Sequence, residues 1–330
     1  MKVLFIGGTG VISSACSRLA VERGVELYLF NRGKAARAMP GKVHHLRGDI
    51  RDAASVQQAL GDRTFDVVVE WIGFTPEHVE SDIQNFKGRT GQYIFISSAS
   101  VYKKPPTLLP ITESTPIVNP YWAYSQAKIA CEHRLMRAYV EEGFPVTIVR
   151  PSHTYDRTFL PVHGKYAVID RMRKGKKVIV HGDGTSLWCL THHEDFAKGF
   201  VGLLGNALAI GEAFHITSDE VLTWNCIYEI LAHAAGVEPN LVHIPSEYIA
   251  ACDPDWGAGL LGDKAHSVIF DNTKIKRLVP DFVAAIPFSR GAEEIMAWFD
   301  ADPQRRTVDK VFDRLVDTMI ASYASAWPTS

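Results

Sequence analysis

The chain has 330 residues, of which 46% are hydrophobic, and its formal net charge is −2. That hydrophobic content excludes a disordered chain and suffices for one large α/β domain, or for one domain with a smaller lobe. The nearly balanced charge offers no electrostatic attraction to nucleic acid or to an anionic membrane, which argues against both as partners.

Short apolar runs alternate with helical patterns through the first half of the chain. This alternation predicts an α/β fold, a Rossmann-type doubly wound parallel sheet with helices on both faces. The first helix shows a 3.6-residue period, and Gly24 stands where that helix should end. The predicted strands are KVLFIG (2–7), VELYLF (25–30), KVHHL (42–46), DVVVEW (66–71), QYIFIS (92–97), VTIVRP (146–151) and AFHIT (213–217).

A glycine-rich loop, FIGGTGVIS, joins the first strand to the first helix. Gly7 and Gly10 let the backbone turn tightly and approach a pyrophosphate, whose charge the helix N-terminus favours. Ser13 takes the third small position, which still permits close packing of helix on strand. The loop therefore predicts dinucleotide binding. We expect the cofactor to contact Gly7, Thr9, Gly10, Val11 and Ile12.

The second strand ends in LFNRGK, at the position where proteins that select NAD carry an acid. Asn31 and Arg32 stand there instead. Because a guanidinium suits a 2′-phosphate, we predict NADP as the cofactor, with NAD as the alternative. Lys34 and Arg37 could add positive charge, although a solvated basic turn would show the same residues. After the third strand, Asp49 could hold the adenine edge.

A tyrosine and a lysine stand four residues apart in NPYWAYSQAKIACEH, at the start of a predicted amphipathic helix. On a helix, Tyr124 and Lys128 lie on one face, one turn from each other. Taken alone, such a pair is more typical of a surface helix than of a catalytic site. Its interpretation depends on the rest of the chain.

Beyond Pro151 the strands become fewer, and prolines and loops become more common. We interpret this part as a smaller substrate-binding lobe that closes over the first domain. Apolar residues recur every three or four positions over residues 307–323, which predicts a helix docked on that lobe. The predicted NAD(P)-binding domain comprises residues 1–155 and 189–218. The predicted lobe comprises residues 156–188 and 219–330.

In combination, these motifs resemble the extended short-chain dehydrogenase/reductase superfamily, in its NAD(P)-dependent epimerase/dehydratase branch. The resemblance covers essentially the whole chain and is specific in combination. Within the branch, the chain is similar to atypical members related to chloroplast stem-loop-binding proteins. The family implies a homodimer formed through the helix that carries Tyr124. The motifs, in the family's order, are GGTGVIS, GDIRD, YIFISSASVY, YSQAK, IVRPSHTYD, GDGTSLWCLTHHEDFA and FDNTKIKRLVPDF.

The resemblance implies a Ser/Thr-Tyr-Lys catalytic site. YIFISSASVY carries the serine, Ser98, and Tyr124 and Lys128 complete the set. Lys128 would lower the pKa of the phenol by its charge and bind the nicotinamide ribose, while Ser98 would hold the substrate oxygen. Tyr124 could then exchange a proton with a hydroxyl as hydride moves to or from the nicotinamide ring.

The resemblance also places residues around the cofactor and the substrate. The end of the fourth strand would line the cofactor, and the end of the sixth would face both nicotinamide and substrate. His153 could equally be a packed core histidine. The remaining cofactor candidates are Ile50, Trp71, Ile72, Gly73, Pro151 and His153, and the substrate candidates are Ser100, Tyr102, His153 and Trp188.

Two departures from the family pattern bear on the substrate. Members that use nucleotide sugars usually place an arginine for the diphosphate where this chain has Trp188. We therefore expect a substrate without a diphosphate, stacked on an aromatic ring. The Asp-Glu pair of 4,6-dehydratases is replaced by Ala99 and Ser100, which argues against dehydration.

No metal site is expected, because the two histidines and two acids of THHEDF align with a structural helix start in the family. The five cysteines are scattered without a C-x-x-C pair, as is typical of a reduced cytoplasmic protein. The N-terminal apolar run is broken by glycines, so we expect neither a signal peptide nor a membrane span there. The basic run RMRKGKK is typical of a solvated turn, with anion contact as the alternative.

Together, these observations predict a cytoplasmic NAD(P)-dependent oxidoreductase or epimerase that acts on a hydroxyl or keto group of a sugar or glycoside. Oxidation, reduction and epimerisation remain open, because all of them use the same site. The alternative from another class is a non-catalytic NADP-binding regulator or RNA-binding protein on the same fold. The intact Ser98, Tyr124 and Lys128 argue against a regulator, and the near-neutral charge argues against RNA.

Overall fold

The strands and helices were assigned in a computed structural model that describes residues 1–33, 37, 39 and 41–326. The strands are β1 (Lys2–Ile6), β2 (Glu26–Asn31), β3 (Val43–Arg47), β4 (Phe65–Glu70), β5 (Thr90–Ile96), β6 (Val146–Pro151), β7 (His153–Tyr155), β8 (Val178–His181), β9 (Leu187–Trp188), β10 (Leu190–His192), β11 (Ala213–Ile216), β12 (Leu222–Thr223) and β13 (Leu241–Ile244). The helices are α1 (Val11–Glu22), α2 (Ala53–Leu60), α3 (Pro76–Phe86), α4 (Ala123–Glu142), α5 (Tyr166–Arg173), α6 (His193–Val201), α7 (Trp224–Ala234), α8 (Ser246–Cys252), α9 (Pro254–Gly259), α10 (Thr273–Leu278), α11 (Phe288–Asp300) and α12 (Lys310–Ser325).

The seven predicted strands form one parallel sheet in the order β11-β6-β5-β4-β1-β2-β3. The fold class is therefore confirmed. The strand order reverses between β1 and β4, and ligands of doubly wound sheets bind at the carboxyl ends of the strands beside such a reversal. In the register of this pair, Ile6 lies beside Glu70. The glycine loop after β1 and the turn after β4 consequently flank one crevice.

Alternate side chains of β1 pack on opposite faces of the sheet, as the two-residue period of a strand requires. Val3 and Phe5 join a buried cluster with residues of α1 and α6. Leu4 and Ile6 join another with residues of α2, α3 and α4. Helix α4, which carries the Tyr-Lys pair, is thus packed directly on the sheet.

A third buried cluster contains residues of α5, α7, α11 and α12. The predicted C-terminal helix is confirmed as α12, where Phe312 packs against His163 and Trp256. The division into residues 1–155 with 189–218 and residues 156–188 with 219–330 stays a prediction.

The basic run RMRKGKK begins in the last turn of α5 and is largely ion-paired, whereas Lys174 and Lys177 are exposed, as in a solvated turn. Arg171 is buried and pairs with Asp313 and Asp317 of α12. The guanidinium of Arg173 pairs with Asp300 of α11, with 2.7 Å between Nη1 and Oδ1. These pairs tie α5 to the two C-terminal helices.

A buried ion pair fixes α4 to the sheet. Arg150 of β6 donates from Nη2 to Oε2 of Glu132 at 2.6 Å and from Nε to Oε1 at 3.0 Å. Both side chains are buried, and the guanidinium also donates to the Tyr102 hydroxyl at 3.2 Å. This bidentate pair sets the distance between α4 and the strand end that faces the crevice.

Glu132→Ala leaves the Arg150 guanidinium buried without its carboxylate. Breaking such a pair costs roughly 3–5 kcal/mol, and we expect that loss in urea unfolding. Glu80→Ala is the matched control, because Glu80 also pairs with an arginine, Arg134, at 2.6 Å but on the surface. We expect the control to lose at most about 1 kcal/mol. Equal losses in the two variants would contradict the structural role of the buried pair.

Candidate functional site

The glycine loop is built for a close approach of a ligand to the backbone. Gly7 and Gly8 have φ of 104° and 88°, in the region that side chains disfavour. A Cβ on Gly8 would stand 2.5 Å from Cδ2 of Leu29. Gly10 then caps α1, whose first residue is Val11. Gly8 is the position that the sequence analysis missed, although it is the most crowded glycine of the loop.

A cleft of about 420 Å³, called here the cofactor cleft, opens beside this loop. Its wall includes two apolar side chains, Ile72 and Phe74, that are 39% and 45% exposed. Exposed apolar groups in a cleft are typical of a surface that a ligand covers. Its lining residues are Gly7, Thr9, Phe30, Asn31, Arg32, Gly48, Asp49, Ile50, Arg51, Ile72, Phe74 and His78.

The cofactor cleft therefore gathers seven of the predicted cofactor residues. It also adds Arg51, whose Nη2 donates to the Ile72 carbonyl at 2.7 Å, a contact that the sequence analysis missed. Arg32 is exposed at the end of β2. Lys34 lies outside the described residues. The guanidinium of Arg37 donates to Asp156 at 2.5 Å and to Thr158 at 2.6 Å, so these donors are not available to a cofactor.

Other predicted cofactor residues lie around the cleft. The carbonyl of Val11 contacts Nδ1 of His193 at 3.0 Å, and Ile12 packs on the core cluster with α1 and α6. The ring of Trp71 packs between Phe5 and Phe200 at 5.5 and 4.8 Å, inside the same core. Trp71 thus faces the opposite side of the sheet end from the cleft.

Lys128 stands between the cofactor cleft and Tyr124. Its Nζ donates to the carbonyl of Gly73 at 2.6 Å and to that of Ile96 at 2.7 Å. The same atom lies 4.9 Å from the centre of the Phe74 ring and 5.9 Å from that of Tyr124. Burial lowers the pKa of Lys128 to about 8. An ammonium has three donors, so one remains for a ligand.

Three serine hydroxyls form a chain that ends at Tyr124. Ser125 donates to the Ser100 hydroxyl at 2.8 Å, and Ser100 in turn lies 2.9 Å from the Ser98 hydroxyl. The pKa of Tyr124 is raised, chiefly by burial, and a hydrogen bond with Ser98 opposes this only in part. The lowering of this pKa by Lys128, which the resemblance implies, is therefore not seen in this structure. The structure therefore brings Ser98, Tyr124 and Lys128 together, and it assigns Ser100 to the support of Ser98.

The phenol of Tyr124 faces a pocket of about 230 Å³, called here the reaction pocket. Pro151, His153 and Trp188 line it as expected. The sequence analysis predicted Trp188 as the aromatic ring beside the substrate. It did not predict Trp122, Asp263 or Lys264, which also line the pocket. The full lining is Ser98, Ala99, Ser100, Trp122, Tyr124, Pro151, Ser152, His153, Trp188, Cys189, Asp263, Lys264, Val268 and Phe270.

Two substrate candidates, His153 and Tyr102, lie in different surroundings. His153 lines the pocket, and burial lowers its pKa to about 3, so its ring is neutral at ordinary pH. Tyr102 is fully buried away from the pocket, and its hydroxyl lies 3.0 Å from Nδ1 of His215. Its expected substrate contact finds no support, because the residue two places after Ser100 points to the core.

No group of three or more potential metal ligands occurs among the residues that the structure describes. The two histidines of THHEDF have other partners. His192 contacts Oε2 of Glu294 at 3.2 Å, and His193 contacts the Val11 carbonyl. Within the same described part of the chain, no helix is long and apolar enough to cross a membrane.

A model of the NAD-dependent epimerase/dehydratase family matches residues 3–217, about two thirds of the chain. The chain belongs to this family. The predicted resemblance is thereby confirmed, and the family accounts for the glycine loop and for the Tyr-Lys pair on one helix.

Proteins that are similar to this chain have names that describe different functions. The chloroplast stem-loop binding protein of 41 kDa b of Arabidopsis thaliana is 32% identical over 75% of this chain and 67% of its own length. The 2'-dehydrokanamycin reductase of Streptomyces kanamyceticus is 24% identical over 86% of this chain and 80% of its own. The UDP-glucose 4-epimerase of Bifidobacterium longum, solved with NAD+ and UDP, has a TM-score of 0.73 at 18% identity, covering 92% of this chain and 100% of that one.

Behind Lys128 lies a carboxyl pair that the sequence analysis missed. Glu70 and Asp82 are fully buried, and burial raises the pKa of both. Glu70 accepts from the Ile72 amide at 2.5 Å, and Asp82 accepts from the Tyr93 hydroxyl at 2.7 Å. Oε2 of Glu70 and Oδ1 of Asp82 have no hydrogen-bond partner among the described residues, although Nη2 of Arg51 lies 3.7 Å from Oε2 of Glu70. We therefore expect the two carboxyls to share one proton. The pair thus fixes the turn that presents the Gly73 carbonyl to Lys128.

Glu70→Gln tests this arrangement through the pH dependence of stability. A raised folded pKa contributes stability below the ordinary glutamate pKa, about 4.3, and this contribution is lost as the pH rises. Glutamine can still accept from Ile72 and donate to Asp82, but it does not titrate. The free energy of unfolding of the variant, relative to wild type, should therefore increase as the pH rises above the ordinary glutamate pKa.

Urea unfolding at several pH values measures this difference directly. Glu80→Gln, on the exposed face of α3, serves as the control and should show a difference that does not change with pH. A constant difference for Glu70→Gln as well would mean that the buried pair does not hold a proton.

Proposed function

We propose that the protein is an NADP-dependent oxidoreductase or epimerase that acts on a hydroxyl or keto group of a sugar or glycoside. The observation that carries this proposal is the position of Lys128, which contacts Phe74 of the cofactor cleft and Tyr124 of the reaction pocket. A single ammonium thus links the place for a dinucleotide to the place for a carbinol.

The residues of the cofactor cleft fit a dinucleotide. The crowded glycine loop leaves no space for side chains, and the N-terminus of α1 favours a pyrophosphate. Exposed Arg32 suits a 2′-phosphate, and Asp49 suits the adenine side. When bound, the nicotinamide would accept or return a hydride at the carbinol carbon.

In the oxidative direction, Tyr124 would take the proton of the substrate hydroxyl as the hydride leaves the same carbon. Ser98 would donate to the substrate oxygen and hold it within reach of the phenol. Lys128 would stabilise the phenolate by its charge and use its third donor on the ribose of the cofactor. In the reductive direction, Tyr124 returns the proton to the oxygen. An epimerase would use both directions, with the carbonyl compound turned between them.

The names of the relatives support a sugar, although they divide on the diphosphate: the reductase relative is named for 2'-dehydrokanamycin, and the epimerase neighbours are named for sugar nucleotides. Two features of the pocket favour a sugar without a nucleoside diphosphate. Among the described residues that line the reaction pocket there is no arginine for a diphosphate. Trp188 instead provides an aromatic wall. Four of the five basic residues of RMRKGKK pair with acids of the same chain, so this run does not favour RNA binding, although one relative is named a stem-loop binding protein.

Two further expectations extend the proposal. A cytoplasmic location and a homodimer through α4 stay predictions. Val140 on α4 is 76% exposed, which would suit a contact with a second copy of the chain.

Tyr124→Phe removes the proton carrier and keeps the ring. General acid–base groups contribute roughly 10²–10⁴-fold, so we expect turnover to fall at least about 10²-fold with cofactor affinity nearly unchanged. Turnover is followed by reduced-nicotinamide fluorescence on the best substrate of a sugar panel. Tyr121→Phe is the control, because Tyr121 is exposed outside the helix. Unchanged turnover in Tyr124→Phe would refute its catalytic role.

Arg32→Ala tests the choice of cofactor. A hydrogen bond to a charged group contributes roughly 1.5–3 kcal/mol, or about ten- to a hundredfold in affinity. We expect NADPH to bind about ten- to a hundredfold more weakly. The loss should lie near tenfold if neighbouring cations also contact the phosphate. NADH should bind as before, since it has no 2′-phosphate. Equal losses for NADPH and NADH, measured by fluorescence titration, would show that Arg32 does not read the phosphate.

A further inference from the structure

A second cavity of about 840 Å³ adjoins the reaction pocket. We call it the tryptophan chamber, because its walls include Trp122, Trp224 and Trp256 together with Phe159 and Phe312. It shares Trp122, His153 and Lys264 with the reaction pocket. Any substrate that reaches from one cavity into the other therefore passes the side chain of Lys264.

Lys264 is held in place at this junction. Its carbonyl contacts Nε2 of His181 at 3.0 Å and accepts from the Ser186 hydroxyl at 3.3 Å. Its ammonium lies 5.5 Å from the ring centre of Trp122 and 5.6 Å from that of Trp188. The backbone contacts and the two rings orient the charge, which reduces the entropy that a ligand contact would cost.

The charge of Lys264 is only partly compensated. One carboxylate, Asp263, serves two lysines: its Oδ2 lies 3.7 Å from Lys264 and its Oδ1 lies 3.4 Å from the buried Lys104. No hydrogen bond from the Lys264 ammonium to any described residue is found at this junction. Burial lowers the pKa of Lys104, and Asp263 lies closer to Lys104 than to Lys264.

The groups around this charge do not cancel it. Burial lowers the pKa of His153 to about 3 and that of His181 to about 4, so both rings are neutral. Asp255 and Asp309 line the chamber as well, but they are exposed together with Lys165 and are therefore screened by solvent. The ammonium of Lys264 is therefore available to a ligand, in the pocket that the Tyr124 phenol also lines.

The two cavities also limit the shape of the ligand. The chamber is larger than one hexose needs, and its aromatic walls suit a flat or apolar group. Among the described residues that line either cavity there is no arginine, which is the side chain suited to bidentate binding of a diphosphate. One lysine, a compact point charge, suits a ligand with one negative charge.

We propose that Lys264 binds a carboxylate of the substrate, so that the substrate is an acidic glycoside whose second part lies in the tryptophan chamber. This inference rests on the proposed function, because it takes the carbinol at Tyr124 as the reacting group. The carboxylate would lie at the junction, between the reacting ring and the group in the chamber.

The test compares three 4-nitrophenyl β-D-glycosides that differ only in the charge at C6: the glucuronide, the glucoside and the 6-amino-6-deoxyglucoside. Binding to the NADP⁺-saturated protein is measured by calorimetry. A charge-assisted hydrogen bond predicts that the glucuronide binds at least about tenfold more tightly than the glucoside, and that the amino sugar binds most weakly. Lys264→Met should remove the preference, whereas Lys174→Met, a surface control, should retain it.

Asp263→Asn should change the preference for the glucuronide in the opposite direction to Lys264→Met. Removal of the carboxylate leaves Lys264 less compensated, so the ratio of glucuronide affinity to glucoside affinity should increase. A merely structural role of Lys264 would weaken all three ligands alike, and thermal unfolding of each variant checks that it is folded.

Equal affinity for glucuronide and glucoside, no binding of the glucuronide, or a preference that survives in Lys264→Met would each overturn the inference. These outcomes are distinct from a failure of the proposed function. Binding with the predicted preference but without hydride transfer from any sugar would refute the oxidoreductase alone. Hydride transfer that favours neutral sugars would refute the role of Lys264 alone.

Discussion

The site depends on one desolvated ammonium. Lys128 is held by the carbonyls of Gly73 and Ile96, which follow or end two neighbouring strands, β4 and β5. Because β4 and β5 are parallel and pair in register, from Phe65 beside Thr90 onward, their carboxyl ends meet at one edge. A shift of either strand would move one acceptor away, so the register of the sheet itself positions the charge.

Several buried titratable groups surround this ammonium. Burial of an unpaired charge costs several kcal/mol, so such groups need a compensating charge or a proton. Glu70 lies 3.7 Å from Arg51 and accepts from the Ile72 amide, which fixes the turn at Gly73. Arg150 and Glu132 fix α4, which brings Tyr124 and Lys128 to the strand ends. The polar interior therefore orients the site, while the three apolar clusters supply stability.

Local signals were sufficient for the sheet. Apolar runs of strand length predicted all seven strands, because both faces of a parallel sheet are buried. The four-residue spacing of Tyr124 and Lys128 was ambiguous by itself, and the family resemblance was needed to add Ser98 to the residues that the fold brings together. Side-chain direction was harder, since it is decided by contacts distant in sequence. Trp71 and Tyr102 both follow strands as expected, yet their rings pack in the core.

The residues outside the strands were the least predictable. Trp122 precedes the helix of the Tyr-Lys pair, Lys264 lies in a segment without a hydrophobic period, and only the tertiary fold makes them neighbours. The charges at the end of α5 gave a misleading signal, because their partners Asp313 and Asp317 lie more than a hundred positions later. Substrate recognition thus depends on contacts between distant segments, whereas the cofactor site depends on a contiguous strand, loop and helix.

The central claim is that Lys128 links the cofactor to Tyr124. A crystal structure of the protein with NADP⁺ tests it most directly. The account predicts that the third donor of Lys128 lies about 3 Å from a hydroxyl of the nicotinamide ribose, with the Tyr124 phenol facing the nicotinamide ring. A nicotinamide directed out of the reaction pocket, with Lys128 bonded only to the Gly73 and Ile96 carbonyls, would contradict it.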